Sequence, residues 1–269
     1  TLSPCLARVF SALLFSAGFV PSETITKFAL SKLTLVRKKD GGWRPISIAS
    51  VDYRIFMKVL LKRFMNHCGF VLSGRQFAFY PRRGDQLFLL SWLRDILPSS
   101  DALALIDFSS AFDSAHHRAI ERVLTHLRLA HYVPFVLRIL QSPIIAHPRS
   151  PHLPLRGVRQ GCPLSPIVFN FLLEAFLHAA PTSALFADDL TVRLRDASAV
   201  APLFATLRDW TKASGLSVNW PKTHILALSD AAVTPLRLAL RQLDVAPEVR
   251  RRASALTFEV LGISFNART

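Results

Sequence analysis

Acids are scarce in this chain, so their positions carry information. Of 269 residues only 18 are Asp or Glu, against 33 Lys and Arg. Asp107 closes a short apolar run, Ala102–Ile106, and Asp188–Asp189 separate two others, Ser183–Ala187 and Leu190–Leu194. If these runs pair as strands, three carboxylates converge in an otherwise basic protein. Like charges a few ångströms apart repel strongly in a low dielectric unless cations bridge them. Hard oxygen donors of this kind suit Mg²⁺, and a pair of such ions serves nucleotidyl transfer, one acidifying the attacking hydroxyl and the other carrying pyrophosphate. Asp-Asp is equally good turn chemistry, and the spacing by itself does not choose between the two.

The elements that must position these acids are legible from periodicity. Ala102–Ile106 has the length of a buried strand, and the two runs flanking Asp188–Asp189 read as a hairpin with the acids at its tip. Val51–Cys68 alternates apolar residues with Arg54, Lys58, Lys62 and Arg63, an amphipathic helix with one basic face. Gln86–Leu97 reads as a helix stopped by Pro98. Ser109–Ser110 caps a helix expected to run to about Leu129. The proline-rich stretch Pro143–Pro154 suggests an extended or hairpin loop. Ser165–Pro166 opens a helix through Ile167–Ala179, and Ala201–Ser214 is a helix ending at Gly215. Leu256–Phe265 is β-like. The order strand, helix, helix, hairpin, helix, strand implies an α+β fold with helices on one face of an antiparallel sheet.

Composition bounds the function classes. The chain is 51% hydrophobic and 19% charged, too apolar for disorder. Its net charge of +15 and pI near 10.8 point to a polyanionic partner, or to a surface enriched in Arg by base composition. Mean hydropathy is +0.31, yet the longest uncharged stretch, Val9–Ser22, is too short to span a bilayer, so no membrane is expected. Cys5, Cys68 and Cys162 are too dispersed for a disulfide framework or a zinc knuckle, which fits a reducing, intracellular setting. The nine histidines, His116–His117 among them, match no zinc-ligand spacing. The chain opens on Thr1 with no signal-peptide pattern, as an excerpt of a longer polypeptide would.

Seven ordered blocks go further. Asp107-Phe-Ser-Ser-Ala-Phe112-Asp113, Arg159-Gln160-Gly161-Cys-Pro-Leu-Ser-Pro166 and Phe186-Ala-Asp-Asp189 resemble the reverse transcriptases, most closely those of non-LTR retrotransposons. The resemblance extends back to Trp43-Arg44-Pro45-Ile46-Ser47 and Gln76-Phe77-Ala78-Phe79. It extends forward to Asn219-Trp-Pro-Lys222-Thr223 and Leu261-Gly262-Ile263, so it covers about residues 33–265. It implies the fingers and palm of a right-hand polymerase, the palm an antiparallel sheet backed by helices, with no thumb evident. Residues 1–100 and 130–158 would be fingers, 101–129 and 159–255 palm, and 256–269 a primer-grip hairpin.

By this resemblance Asp107, Asp188 and Asp189 are the catalytic acids, holding two Mg²⁺ ions (Mn²⁺ a possible substitute) together with the backbone carbonyl of Phe108. Phe112 falls at the steric gate, where a ring would clash with a ribose 2′-hydroxyl; away from the acids it would read as a core aromatic. Lys38 and Arg44, in a strand-turn-strand around Asp40-Gly41-Gly42, would contact the triphosphate. Gln160 and Gly161 would lie against the nascent base pair, the glycine allowing close backbone approach. Lys222 matches a lysine that protonates pyrophosphate, and is equally readable as a surface residue after Pro221. Leu261 and Gly262 would grip the primer through backbone.

The implied activity is RNA-directed DNA polymerisation on an RNA template and DNA primer with deoxynucleoside triphosphates. Further domains of a polyprotein and nuclear residence are implied only by the resemblance. Two departures stand out: Ala78 replaces a usual glycine and Tyr80 a usual basic residue, leaving Arg75, Arg82 and Arg83 as candidates for template phosphates. Two other readings stay open, a group II intron or retron-type enzyme and a catalytically silent RNA-binding scaffold. An RNA-making polymerase is disfavoured by Phe112.

Overall fold

The computed structural model describes residues 28–38, 41–80, 85–142, 144–147, 150–152, 154–243, 257–260 and 263–266. In chain order its elements are β1 (Ser31–Arg37), β2 (Trp43–Ala49), α1 (Val51–Cys68), α2 (Gln86–Ile96) and β3 (Ala102–Ile106). Then come α3 (Ala111–Ser114), α4 (His117–His126), α5 (Val133–Leu140), β4 (Ile144–His147), β5 (Ser150–His152) and α6 (Ser165–Ala179). β6 (Ser183–Phe186), β7 (Asp189–Leu194), α7 (Val200–Ser214), β8 (His224–Ala227), α8 (Asp230–Arg241), β9 (Thr257–Val260) and β10 (Ile263–Asn266) complete the order. No described helix is long and apolar enough to cross a membrane. The chain divides into two units, residues 1–71 with 115–169, and residues 72–114 with 170–269.

In the first unit, β1 and β2 form an antiparallel hairpin from Ser31↔Ala49 to Arg37↔Trp43. β4 joins β1 in parallel and carries β5, giving the order β2-β1-β4-β5. The Pro143–Pro154 loop thus contains a hairpin with a register shift between Ile145 and His147. α1 starts at Ser50, whose hydroxyl accepts the Tyr53 N–H at 3.2 Å. It buries Tyr53, Phe56, Met57, Leu60, Phe64 and Cys68 at helical spacing. Arg54, Lys58, Lys62 and Arg63 stay exposed, as the amphipathic pattern requires. Arg159 is buried, and its guanidinium donates to the carbonyls of Ala29 and Ser142. A guanidinium so enclosed needs oxygen acceptors, and here backbone supplies them to both terminal nitrogens.

The second unit is built on a fully antiparallel sheet in the order β6-β7-β3-β8. Strand β3 is central, and four of its five residues are buried, the continuous apolar run expected of an inner strand. Phe77, Leu89 and Leu93 pack with Leu103, Ala184, Leu226 and Val260 to form its core. α7 ends where Gly215 takes φ 81 and donates its N–H to the Thr211 carbonyl, a left-handed cap that glycine adopts without strain.

Two elements differ from expectation, the aspartate hairpin and the helix after Ser109. The hairpin turns at Ala187–Asp188, one residue earlier than the expected Asp188–Asp189 tip, because Asp189 already pairs with Phe186. The single helix expected from Ser109 to about Leu129 is two, α3 and α4, interrupted at Ala115–His116. Ser110 sits at φ 46, so the chain turns sharply before α3. The Ala115 carbonyl accepts the Gly157 N–H at 2.7 Å, a tertiary bond in place of the helical ladder. At the far end Arg128 at φ 62 stops α4 three residues early.

Candidate active site

Asp107 follows the last residue of β3, and the β3–β7 register ends at Ile106↔Leu190, so the next rung sets Asp107 level with Asp189. β6 and β7 close at Phe186↔Asp189, leaving Ala187 and Asp188 as a two-residue turn. Ala187 has φ 56, a left-handed conformation usually given to glycine in such turns. The three acids therefore meet at one end of the central strand pair. Burial and their repulsion together act on Asp189: although open to solvent on one side, its carboxyl is pushed up to about 6. Partial desolvation contributes most, then Asp188 and Asp107, with Lys222 pulling the other way.

A loop from residue 217 to 223 locks Asp107 in place. The Asn219 side-chain amide donates to Asp107 Oδ2 at 2.7 Å, and its backbone N–H donates to the Asp107 carbonyl at 2.8 Å. Thr223 Oγ1 donates to the Asn219 carbonyl at 2.9 Å and accepts the Asp107 N–H at 3.4 Å. Ser109 N–H donates to the Ser217 carbonyl at 2.8 Å, and Phe108 bridges Val218. The Phe108 ring is buried against Trp210, which in turn meets Phe176 edge-on. Lys222, on the single turn Trp220–Lys222 of the same loop, is exposed and within electrostatic reach of Asp189.

Phe112 lies on α3, half-buried, with its ring edge-to-face against Phe79 at 6.3 Å. Phe79 itself takes φ 60 and is 49% exposed. Arg75, a candidate for template phosphate, is committed elsewhere. Its guanidinium donates to the carbonyls of Ala180, Ser183 and Leu177 at 3.1, 3.0 and 2.6 Å, so it fastens the chain between α6 and β6. Arg82 and Arg83 lie outside the described residues, as do Leu261 and Gly262.

Lys38, Arg44, Gln160 and Gly161 belong to the first unit. Lys38 begins the β1–β2 turn, donating its N–H to the Gly42 carbonyl at 2.7 Å, with Gly41 at φ 84. Arg44 is exposed on β2 opposite Val36. Gln160 accepts the Ser47 N–H at 2.7 Å through its carbonyl. Gly161 has φ 106, and a Cβ there would lie 2.5 Å from the Ser47 carbonyl oxygen. The close approach that this glycine permits is thus to β2.

Asn219 and Thr223 flank the expected Lys222 in sequence, but the reading of residues assigned them no role. The signal available was an amide three residues before that lysine, too weak alone to reveal a bond to Asp107.

A central antiparallel sheet with acids at a strand end and on the adjacent turn defines the palm of a right-hand polymerase, with fingers. Residues 36–265 match the family described as reverse transcriptase (RNA-dependent DNA polymerase). The chain belongs to that family. It is 27% identical to the Pol polyprotein of a type-1 R2 retrotransposable element from Nasonia vitripennis, over 85% of this chain and 24% of the relative. To the corresponding R2 polyprotein of Popillia japonica it is 29% identical, over 83% of this chain and 35% of the relative. The chain thus spans a quarter to a third of these relatives, which are larger polyproteins of non-LTR elements. Among solved structures it resembles apo telomerase of Candida tropicalis, truncated from its C-terminal domain, with a TM-score of 0.60 and 13% identity over 90% of this chain and 54% of that one. Telomerase of Candida albicans, in complex with a fragment of telomeric RNA, gives 0.59 and 12% over 96% and 48%. At these identities the likeness is one of fold.

Proposed function

We propose that this chain is the RNA-directed DNA polymerase domain of a non-LTR retrotransposon protein, extending a DNA primer on an RNA template with deoxynucleotides. The observation that carries this reading is the meeting of Asp107 with Asp188 and Asp189 at one end of the sheet, in a chain of this family. The family uses divalent metals, and we assign Mg²⁺ here. The donor set fits: hard carboxylate oxygens, with Asp188 and Asp107 adding to the upward shift that burial gives Asp189. Among the described residues no three His, Cys, Asp or Glu side chains are grouped so that they alone could hold a metal ion. Mg²⁺ is ordinarily held by one or two carboxylates, with waters and substrate phosphates filling the remaining positions. Asp107, Asp188, Asp189 and the Phe108 carbonyl would hold it. When bound, such ions acidify the primer 3′-hydroxyl and neutralise the leaving pyrophosphate.

The chain's own groups do the rest. Asn219 keeps the Asp107 carboxylate oriented toward the strand end. Lys222 can give a proton to the departing pyrophosphate. Phe112, backed by Phe79, excludes a 2′-hydroxyl by bulk, and Lys38 and Arg44 supply cations for the triphosphate. Gln160 and Gly161 would border the nascent pair, and Leu261–Gly262 the primer.

Primer extension on poly(rA)/oligo(dT) with Mg²⁺ and dTTP tests the reading. Extension by the wild type that disappears in Asp188→Asn/Asp189→Asn is the expected result. A folded wild type that binds the duplex yet never extends it would overturn the catalytic reading in favour of a scaffold.

A further inference from the structure

The aspartate turn contains a residue that ought not to be comfortable there. Ala187 at φ 56 immediately precedes Asp188, and a left-handed non-glycine residue persists only where its surroundings over-determine it. Gln76 supplies that constraint. Its side chain is 1% exposed, and its amide reaches both polar groups of Ala187. Nε2 donates to the Ala187 carbonyl at 3.2 Å, while Oε1 accepts the Ala187 N–H at 3.2 Å. Oε1 also accepts the Ala78 N–H at 3.0 Å, which fixes the amide's orientation, because an oxygen must face two donors.

The backbone around Gln76 is equally tied. Residues 75–77 lie in parallel on the outer edge of β6: Leu185 N–H donates to the Arg75 carbonyl at 2.9 Å, and Phe77 N–H donates to the Leu185 carbonyl at 2.8 Å. Arg75 anchors the start of this segment through its three carbonyl contacts. Past Ala78, the Asn170 side chain donates to the Ala78 carbonyl at 2.9 Å. An amide held at this many points has little freedom to follow Ala187 if the turn relaxes. It behaves as a rigid template for one peptide conformation.

The geometry points to Gln76 as the positioning residue for the catalytic aspartates, a side chain that holds Ala187 left-handed and thereby sets the direction in which Asp188 and Asp189 leave the hairpin. This role deepens the polymerase reading and rests on it for its catalytic consequence. The clamp itself is a structural statement that stands apart from activity. Glutamine suits the position because a carboxylate could not donate to the Ala187 carbonyl and would add a fourth negative charge near the acids. Asparagine is one methylene too short to reach both groups.

Two readouts separate the parts. In protein labelled at alanine nitrogen, the Ala187 amide should exchange slowly in the wild type, and at least tenfold faster in Gln76→Ala while the β3 amides stay protected. In primer extension, Gln76→Ala should lower kcat by about 10²-fold, the scale of a small displacement of catalytic groups. It should also raise the Mg²⁺ concentration at half-maximal rate, with little change in the KM for dTTP. Ala187→Gly in the Gln76→Ala background should recover at least threefold in kcat, because glycine takes φ 56 without support. Equal Ala187 exchange in the wild type and Gln76→Ala would overturn the clamp. Faster exchange with unchanged kcat and Mg²⁺ dependence would overturn the positioning role. If Gln76→Ala does not fold, Gln76→Leu, which keeps the bulk but can neither donate nor accept, replaces it in both assays, with the same results required. A wild type that protects Ala187 but never extends a primer would instead refute the polymerase reading and leave the clamp intact.

Discussion

Two glycines with similar backbone twist offer a controlled test of close packing in the first unit. Gly41 has φ 84 and open space where a Cβ would go. Gly161 has φ 106, with the Ser47 carbonyl oxygen 2.5 Å from that point and Ile46 Cγ2 3.4 Å away. Alanine at position 41 meets only the backbone penalty of the left-handed region, about 1–2 kcal/mol. Alanine at position 161 carries a similar penalty and must also drive Ser47 back until the contact exceeds 3.0 Å. That shift strains the bond from the Ser47 N–H to the Gln160 carbonyl, now 2.7 Å, whose net worth is about 1 kcal/mol. Overpacking of this kind adds about 1–3 kcal/mol. Gly161→Ala should therefore destabilise by about 3–6 kcal/mol, a large share of the 5–15 kcal/mol typical of a folded domain. Urea unfolding followed by tryptophan fluorescence, with Ser47 amide exchange as a local probe, measures both variants. If Gly161→Ala costs no more than Gly41→Ala, the packing argument fails, and Gly161 is required for some other reason.

Three other outcomes are expected. Asn219→Ala removes the amide on Asp107 Oδ2 and should lower kcat about tenfold or more, since hydrogen bonds to charged groups contribute about 1.5–3 kcal/mol; an unchanged rate would show that Asp107 needs no such orientation. Phe112→Val should raise ribonucleotide incorporation relative to deoxynucleotide, with Phe79→Ala producing a smaller shift because it loosens the ring from behind; unaltered sugar selection in both would dismiss the gate. His117 is buried, donating from Nε2 to the Gly157 carbonyl at 2.9 Å, and its pKa lies below the usual 6.5, chiefly through desolvation. The folded state then takes up a proton less readily than the unfolded one. Its contribution is intact above pH 6.5 and is lost as pH falls through the lowered value. Denaturant melts from pH 7.5 to 5 should show a steeper loss for the wild type than for His117→Gln, and parallel curves would refute the assignment.

What the chain reveals by itself follows the range over which each signal acts. α1 is legible from Ser50 to Cys68 because its cap and its apolar spacing are local. β3 and the β6–β7 hairpin are legible because an uncharged run ending in Asp107, and two more split by Asp188–Asp189, leave few alternatives in an acid-poor chain. The order of the blocks was enough to indicate the family. Tertiary structure decided what depends on partners distant in sequence. The helix after Ser110 breaks because Gly157, 42 positions beyond Ala115, takes its carbonyl. Arg75 looked free for phosphate until the carbonyls at the end of α6 claimed it. Gly161 is needed by the carbonyl of Ser47, and Ala187 is held by a glutamine 111 residues away. Residue type and periodicity record what a segment prefers. Which donor meets which acceptor across the fold is settled only when both are brought within about 3 Å, a condition no local pattern encodes.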